Sequence, residues 1–575
     1  MAESKTLHQD QRLRKKQKII AAAAGEEPAD LVLKNARFIN VFTNQLQEGD
    51  IAISQGVIAG FGSYKGRKER DLSGKIVCPG LMDGHIHLES SLVAPVEFAK
   101  AVVPHGTVGA VTDPHEIANV MGTAGIDYML QATAGLPLDV FFMLPSCVPA
   151  TPWDESGARL EARDIVQYYS RTNVLGLAEM MNFYGIVQGD EGCLQKILDA
   201  GANRRRIDGH APGLMGNALS AYISAGISTD HECSTLEEAV ARIERGQIVM
   251  IREGTAAHNL DALLPLMKSG YADRCIFCSD DRHPSDLLRK GHIDEIIRRT
   301  IAAGADPILA IKAGSFNAAR HFQLYDRGAI APGYRADLIV TDDLQRFPIL
   351  QVYKDGELLF SEGHLAEFAH PRIDPALNRA AHDTFRNCRI EEAALQADGP
   401  CAVIGLVNGE ITTTSEGYAE QINPAQDILK AAVIERHHGT GHIGIGYLKG
   451  YGLRSGAVAT SFAHDSHNII AAGTSDRDIA AAVNRLTENH GGIVVENNGE
   501  IVGEVRLGIA GLMSDEPLQT VDRQLEAAKA AAWNLGVNPG IDPFMTLSFL
   551  SLPVIPELRL TTQGVFDVSA GRFRS

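Results

Sequence analysis

Cysteine is scarce, at eight in 575 residues. The eight are spread from Cys78 to Cys401, without the density of a disulfide-stapled scaffold, so reduced thiols in a cytoplasmic protein are expected. Long hydrophobic runs are also missing. The apolar stretches are strand-length, well short of the ~20 residues that span a bilayer, so no transmembrane helix is expected. Positive charge is in deficit: 53 Lys and Arg stand against 71 Asp and Glu, a net charge of −18. That balance disfavours nucleic acid and anionic membrane partners. No low-complexity linker interrupts the chain. Residues 11–18 are basic and precede Ile19, Ile20 and four alanines. This apolar block is too short for a signal-peptide core, and residues 1–26 are expected to form an exposed helical arm.

What is present is a globular composition. Apolar residues make up 45% of the chain, enough for a large core, and the length suggests two to four domains at ~150 residues each. From Ala29 to Lys75 short alternating strands are separated by turn residues, which predicts a small β unit. A matching β segment returns at Gly328–Val340 and Val352–Leu359. Between them, apolar β-rich runs alternate with polar clusters and helical stretches. The runs start at Lys75, Thr107, Val140, Val174, Arg206, Gly226, Gln247 and Cys275. Alternating βα units at this pitch predict a parallel sheet, and eight of them over ~250 residues predict a (β/α)8 barrel of the TIM type. The alternative, a doubly wound sheet, is disfavoured because no Gly-x-Gly-x-x-Gly follows the first strand. The fold class is therefore α/β. A composite β-sandwich over 27–76 and 325–366 is interrupted by a barrel over 77–324, and an α/β or α+β domain follows over 367–575.

In a barrel, functional groups gather where the strands end. Strand one ends in His85-Ile-His87, whose i and i+2 positions face the same way on a strand and suit one metal ion. Strand four ends in Ala178-Glu179-Met180, strand five in Asp208-Gly209-His210, strand six in Asp230-His231-Glu232 and strand eight in Ser279-Asp280-Asp281. Each alone reads as a hydrogen-bonded strand end. Together, His85, His87, Glu179, His210, His231 and Asp280 would enclose one or two divalent ions. Cys275 and Cys278 form a CxxC, but i and i+3 on a strand point to opposite faces, so they do not make a zinc pair.

These clusters resemble those of the amidohydrolase superfamily. Pro79-Gly-Leu-Met-Asp-Gly-His-Ile-His87 opens the motif series and Gly328-x-Ile-x-Pro-Gly-x-x-Ala-Asp-Leu338 closes it. Many binuclear members bridge their metals with a carboxylated Lys on strand four, where this chain has Glu179. The resemblance narrows to the bacterial adenine deaminase family through several long motifs. They are His85-Ile-His-Leu-Glu-Ser-Ser91, Asp113-Pro-His-Glu-Ile-Ala-Asn-Val-Met-Gly122, Pro145-Ser-Cys-Val-Pro-Ala-Thr-Pro152, Ala178-Glu-Met-Met-Asn182, Gly209-His-Ala-Pro-Gly213, Thr229-Asp-His-Glu-Cys-Ser234, Ile251-Arg-Glu-Gly254 and Cys278-Ser-Asp-Asp-Arg-His-Pro284. It continues through Gly450–Gly456 and Ser461–Asn468, covering about residues 27 to 575.

The resemblance implies hydrolysis of adenine to hypoxanthine and ammonia. His85, His87 and Asp280 would hold one ion, His210 and His231 the other, and Glu179 would bridge them. Imidazole and carboxylate donors suit Mn, Fe, Zn and Co alike. Asp280 would move the proton of the attacking water. Glu232 would act as a second proton shuttle or orient His231. Glu89, Ser90, Asn182, Arg252, Glu253 and Asp281 could supply hydrogen bonds to the purine, with His115 and Glu116 beside them. His437, His438, His442, His464 and His467 read first as a structural histidine cluster, with His464 and His467 able to reach over the barrel mouth. A homodimer is expected. Two rival functions remain: a cyclic amidase acting on a hydantoin or dihydropyrimidine, and an inactive barrel serving as a scaffold.

Overall fold

A computed structural model describes residues 2–255, 257–386, 388–397, 399–408 and 411–574. Eight parallel strands form the central barrel: Leu81–Ile86, Thr107–Thr112, Asp139–Leu144, Val174–Met180, Arg206–Gly209, Thr229–Asp230, Ile248–Arg252 and Cys275–Cys278. Strands one to five pair in order, as do six to eight. Ser228 N–H donates to Ile207 O at 2.9 Å, joining strands five and six. Asp280 N–H donates to His85 O at 2.9 Å and closes strand eight on strand one. Inside lie Met82, Val111, Phe141, Met143, Leu175, Ala178, Met250 and Ile276. Ala318, Ala319 and Phe322 pack onto this cluster. The interior is thus a filled core, and chemistry is confined to its rim.

The expectation for the first barrel strand needs correction. Ile76–Pro79 lies outside the barrel, antiparallel to Leu338–Thr341 and parallel to the strand Ala29–Asn40. The barrel's first strand is Leu81–Ile86. Gly80 makes the step between the two sheets, because a Cβ there would meet Val108 Cγ2 at 2.4 Å and Asp337 O at 3.2 Å. Both flanks of the barrel join one nine-stranded sheet, in the order Ala29–Asn40 beside Ile76–Pro79, then Leu338–Thr341, Gln351–Lys354 and Glu357–Ser361. This sheet has its own apolar cluster, including Leu33, Phe38, Ile51, Val77, Leu338 and Tyr353.

The N-terminal segment is helical over Ala2–Ala23. It is not exposed to its end: Ile19 and Ala22 are buried, and Tyr64 Oη donates to Ala23 O at 3.0 Å. No helix among the described residues is long and apolar enough to cross a membrane.

Beyond residue 400 an eight-stranded sheet is antiparallel throughout, except where Cys401–Leu406 runs parallel to Ile443–Lys449. The helix Asp476–Glu488 packs on a cluster of its own, with Ala432, Ala459 and Ala471 from the sheet. Val433, Val458 and Ile470 instead belong to the same apolar cluster as the barrel. Three segments that follow barrel strands at the rim are tied to this part of the chain. Ala94 N–H donates to Ser514 O at 2.9 Å, Asn468 Nδ2 donates to Glu155 O at 2.7 Å, and Ser285 Oγ donates to Asp522 Oδ1 at 2.8 Å.

Arg242 and Asp230 pair at 2.7 Å with both side chains fully buried. Arg242→Met leaves Asp230 buried and uncompensated, at a cost of about 3–5 kcal/mol. The expected outcome is a clearly lowered thermal unfolding temperature by calorimetry, with no such drop for Arg163→Met on the exposed surface.

Candidate metal centre

Six polar side chains from five strands converge at the rim. His85 stands near the end of strand one and His87 follows it; Glu179 stands in strand four; His210 and His231 follow strands five and six; Asp280 follows strand eight. Glu179 lies at the middle. Its Oε1 is 3.2 Å from His87 Nε2, and its Oε2 is 2.8 Å from His210 Nδ1 and 3.2 Å from His231 Nε2. Asp280 Oδ1 is 3.3 Å from both His85 Nε2 and His87 Nε2. The His85 and His231 rings stack at 4.5 Å.

Hydrogen bonds behind these groups hold them in place. Asp83 Oδ1 accepts from the backbone N–H of His85 and of Ser279, both at 3.1 Å, tying strand one to strand eight below the ligands. His87 Nδ1 donates to Asp113 O at 3.1 Å, which turns Nε2 toward the carboxylates. Tyr222 Oη accepts from His210 N–H at 3.0 Å and donates to Met180 O at 2.8 Å. Asn259 Nδ2 donates to His231 O at 3.0 Å. Ser146 Oγ donates to the carbonyl of Glu179.

The electrostatics fit a cation. Burial pushes the Glu179 carboxyl up, but His210, His231 and His87 outweigh it and hold it well below the usual range. Asp280 behaves likewise, with Arg252, His85 and His87 overcoming burial. In turn, burial lowers His87 and His231, yet the surrounding carboxylates draw both well above the usual imidazole value. His85 Nε2 is buried and makes no hydrogen bond. Donor atoms lie within 4.8 Å of one another in the sets His85, His231, Asp280 and Glu179, His210, His231. His231 thus stands in both sets. A third set joins His87 and Glu179 to Asp113 and His115. These donors are nitrogen and oxygen only, which suits Mn, Fe, Zn or Co.

The remaining candidates divide into two groups. Arg252 Nη1 lies 2.7 Å from Asp280 Oδ2, and its Nη2 lies 2.9 Å from Glu232 Oε2. Glu232 Oε1 is 3.2 Å from His231 and 3.3 Å from His210. Burial raises its carboxyl, but Arg252, His210 and His231 pull it far below the usual range. Ser90 Oγ donates to Asp281 and lies 3.3 Å from Glu116 Oε1. His115 Nδ1 is 2.9 Å from Asp113 Oδ2 and 3.6 Å from Glu179 Oε1. These residues join the rim cluster.

Three others point to structural work. Asn182 Oδ1 accepts from Gly185 N–H at 2.9 Å as an N-cap, and its Nδ2 donates to Cys193 Sγ. Glu253 accepts from Leu260 N–H at 3.1 Å and pairs with Arg299. Its neighbour Arg252 takes the rim position, as alternation along a strand requires. Glu89 Oε1 accepts from Ile117 N–H at 3.2 Å. Sequence reasoning did not single out Asp113 or Asp83, although both lie in the quoted motifs. For His464 the sequence favours a structural role and leaves open a reach over the barrel mouth; its Nδ1 lies 3.9 Å from Glu116 Oε1.

Residues 76–359 match the amidohydrolase family, and residues 407–572 match the adenine deaminase C-terminal domain. The chain is 47% identical over 561 residues to "Adenine deaminase 2" of Carboxydothermus hydrogenoformans, covering 96% of this chain and 97% of the relative. It is 44% identical over 566 residues to an adenine deaminase of Clostridium acetobutylicum, covering 96% and 99%. Among solved structures it is similar to a β-aspartyl dipeptidase from Fervidobacterium islandicum, with TM-score 0.45 and 20% identity over 59% of this chain and 99% of that one. It is also similar to a zinc-bound adenosine deaminase from Xanthomonas campestris, with TM-score 0.42 and 14% identity over 60% and 95%.

Glu179→Gln removes the central negative charge and is expected to lower bound metal in the purified protein, measured by elemental analysis. Full metal occupancy in that variant would remove Glu179 from the ligand set. Asn182→Ala loses a helix cap, worth about 1 kcal/mol. It is expected to lower thermal stability slightly while leaving the KM of the turnover reaction unchanged.

Proposed function

The chain belongs to the adenine deaminase family of amidohydrolases, and we propose that it converts adenine and water to hypoxanthine and ammonia. The observation that carries this is the complete rim set of His85, His87, Glu179, His210, His231 and Asp280 in a chain alike to its adenine deaminase relatives over almost its full length. Those residues would hold two divalent ions, of Mn, Fe or Zn, with His85, His87 and Asp280 on one side of Glu179 and His210 and His231 on the other. Bound divalent metal supplies Lewis-acid activation, lowering the pKa of the attacking water from ~15.7 toward ~7.

The chain's own groups handle the protons. Arg252 holds Asp280 Oδ2 and leaves Oδ1 toward His85 and His87. In this reading Asp280 takes the proton released by water as the new C6–O bond forms, and delivers it toward the amine, which leaves as ammonia when the C6–N bond breaks. The two-pronged grip of Arg252 on Glu232 keeps that carboxylate ionised. This supports a role orienting His231 and His210 over a role in shuttling protons. Ser90, Glu116 and Asp281 form the polar wall on which ring nitrogens could be read. The net charge of −18 favours a small-molecule substrate over nucleic acid. Eight free cysteines favour a cytoplasmic setting. A homodimer is the assembly we propose.

The test is Mn-loaded protein given adenine, with ammonia release and the absorbance change to hypoxanthine followed together. Turnover of a hydantoin or dihydropyrimidine but not adenine would overturn the proposal, and turnover of neither would favour a scaffold. Asp280→Asn is expected to lower kcat by roughly 10²–10⁴-fold without unfolding the protein. Near-normal kcat in that variant would remove Asp280 from proton transfer.

A further inference from the structure

The barrel does not line its own mouth alone. In the C-terminal sheet, the strands Ala457–Ala463 and Asn468–Gly473 are joined by a turn, 464–467. All four turn residues are buried. The His464 ring lies flat against Phe549, with centroids 4.7 Å apart and planes 18° apart. Its Nδ1 stands 3.9 Å from Glu116 Oε1 and 3.5 Å from Asp465 Oδ1. The first separation is within reach of charge attraction but too long for a hydrogen bond. Glu116 Oε1 in turn lies 3.3 Å from Ser90 Oγ, which donates to Asp281, the neighbour of the rim residue Asp280. A polar file thus runs from the C-terminal turn to the metal centre.

The file holds unused hydrogen-bonding capacity. Asp465 Oδ2 and both ring nitrogens of His467, in the same turn as His464, are buried without a partner. A buried polar group left unpaired costs about 1–3 kcal/mol, and such groups mark sites with a further partner. A purine edge is that kind of partner: flat, with ring nitrogens that accept and one N–H that donates. Phe549 holds the imidazole in one plane, so His464 can meet a flat ligand with little loss of freedom.

Resting on the reading of adenine as substrate, we infer that His464 is a purine-binding residue supplied by the C-terminal region, which with Glu116 and Ser90 grips the ring edge away from the reacting carbon. The C-terminal region is then part of the active site.

The test is steady-state kinetics on the full-length, Mn-loaded protein. His464→Ala is expected to raise the KM for adenine about tenfold or more while kcat stays within about threefold, the signature of lost binding rather than lost chemistry. His464→Gln, which keeps a donor and an acceptor, is expected to recover part of the KM. His438 bonds to Ser156 O at 3.0 Å in the same contact between the two regions, and His438→Ala is expected to keep the wild-type KM. Bound metal, by elemental analysis, should equal wild type in all three. An unchanged KM in His464→Ala overturns the inference. So does a KM rise matched by His438→Ala or accompanied by metal loss, because either reports structural damage. If the wild-type protein itself fails to turn over adenine, the substrate reading falls; if it turns adenine over and His464→Ala is unaltered, only this inference falls.

Discussion

A carboxylate buried in a protein interior must be surrounded by positive charge or donors, or it takes up a proton. Glu179 sits at 3% exposure on the fourth barrel strand, and the rim is arranged around that requirement. His87, His210 and His231 face its two oxygens. The His87 ring is held from behind by the Asp113 carbonyl, and the backbones that carry His210 and His231 are held by Tyr222 and Asn259. The second carboxylate, Asp280, repeats the pattern with His85, His87 and Arg252. Strands that contribute one or two side chains each are thereby committed to a single register, since a slip of one residue would turn the ligand away.

Much of this is written locally. Parallel barrel strands are apolar on both faces, so Val174–Ala178 or Cys275–Cys278 stand out as runs, and the polar residue that ends each run marks the rim. His-x-His on a strand needs only the period of two. Arg252 and Glu253 fall under the same rule, which places one at the rim and the other against Arg299. Lys75–Cys78 misleads because composition cannot tell a strand of one buried sheet from that of another. What separates them is the step at Gly80, set by the approach of Val108 and Asp337. Asn182 follows a ligand strand as a substrate residue would, but its side chain is taken by a cap three residues on, a use that Asn serves equally well.

His464 lies beyond what local pattern can reveal. A reach over the barrel mouth is open to it, but its partner Glu116 is nearly 350 residues earlier, and nothing within the Ser461–Asn468 segment names that residue. The contact exists because the C-terminal sheet shares an apolar cluster with the barrel, and the C-terminal region bonds to the segments after strands one, three and eight. Those segments lie at the rim, and the rim is where a barrel carries its function. A sheet packed over them excludes water from the charged centre, which strengthens every interaction within it.

The nine-stranded sheet has a bearing on how the molecule assembles. Val77 pairs with Val340, so one strand emerges from the ribosome about 260 residues before its neighbour, a long-range pairing of the slow-forming kind. Until the later strand arrives, the Ile76–Pro79 edge lacks that partner, and edges of this kind invite foreign pairing. The sheet works as a clasp that fastens only after the whole barrel has been made. Barrel closure and clasp closure then reinforce each other, because each brings together the ends that the other needs.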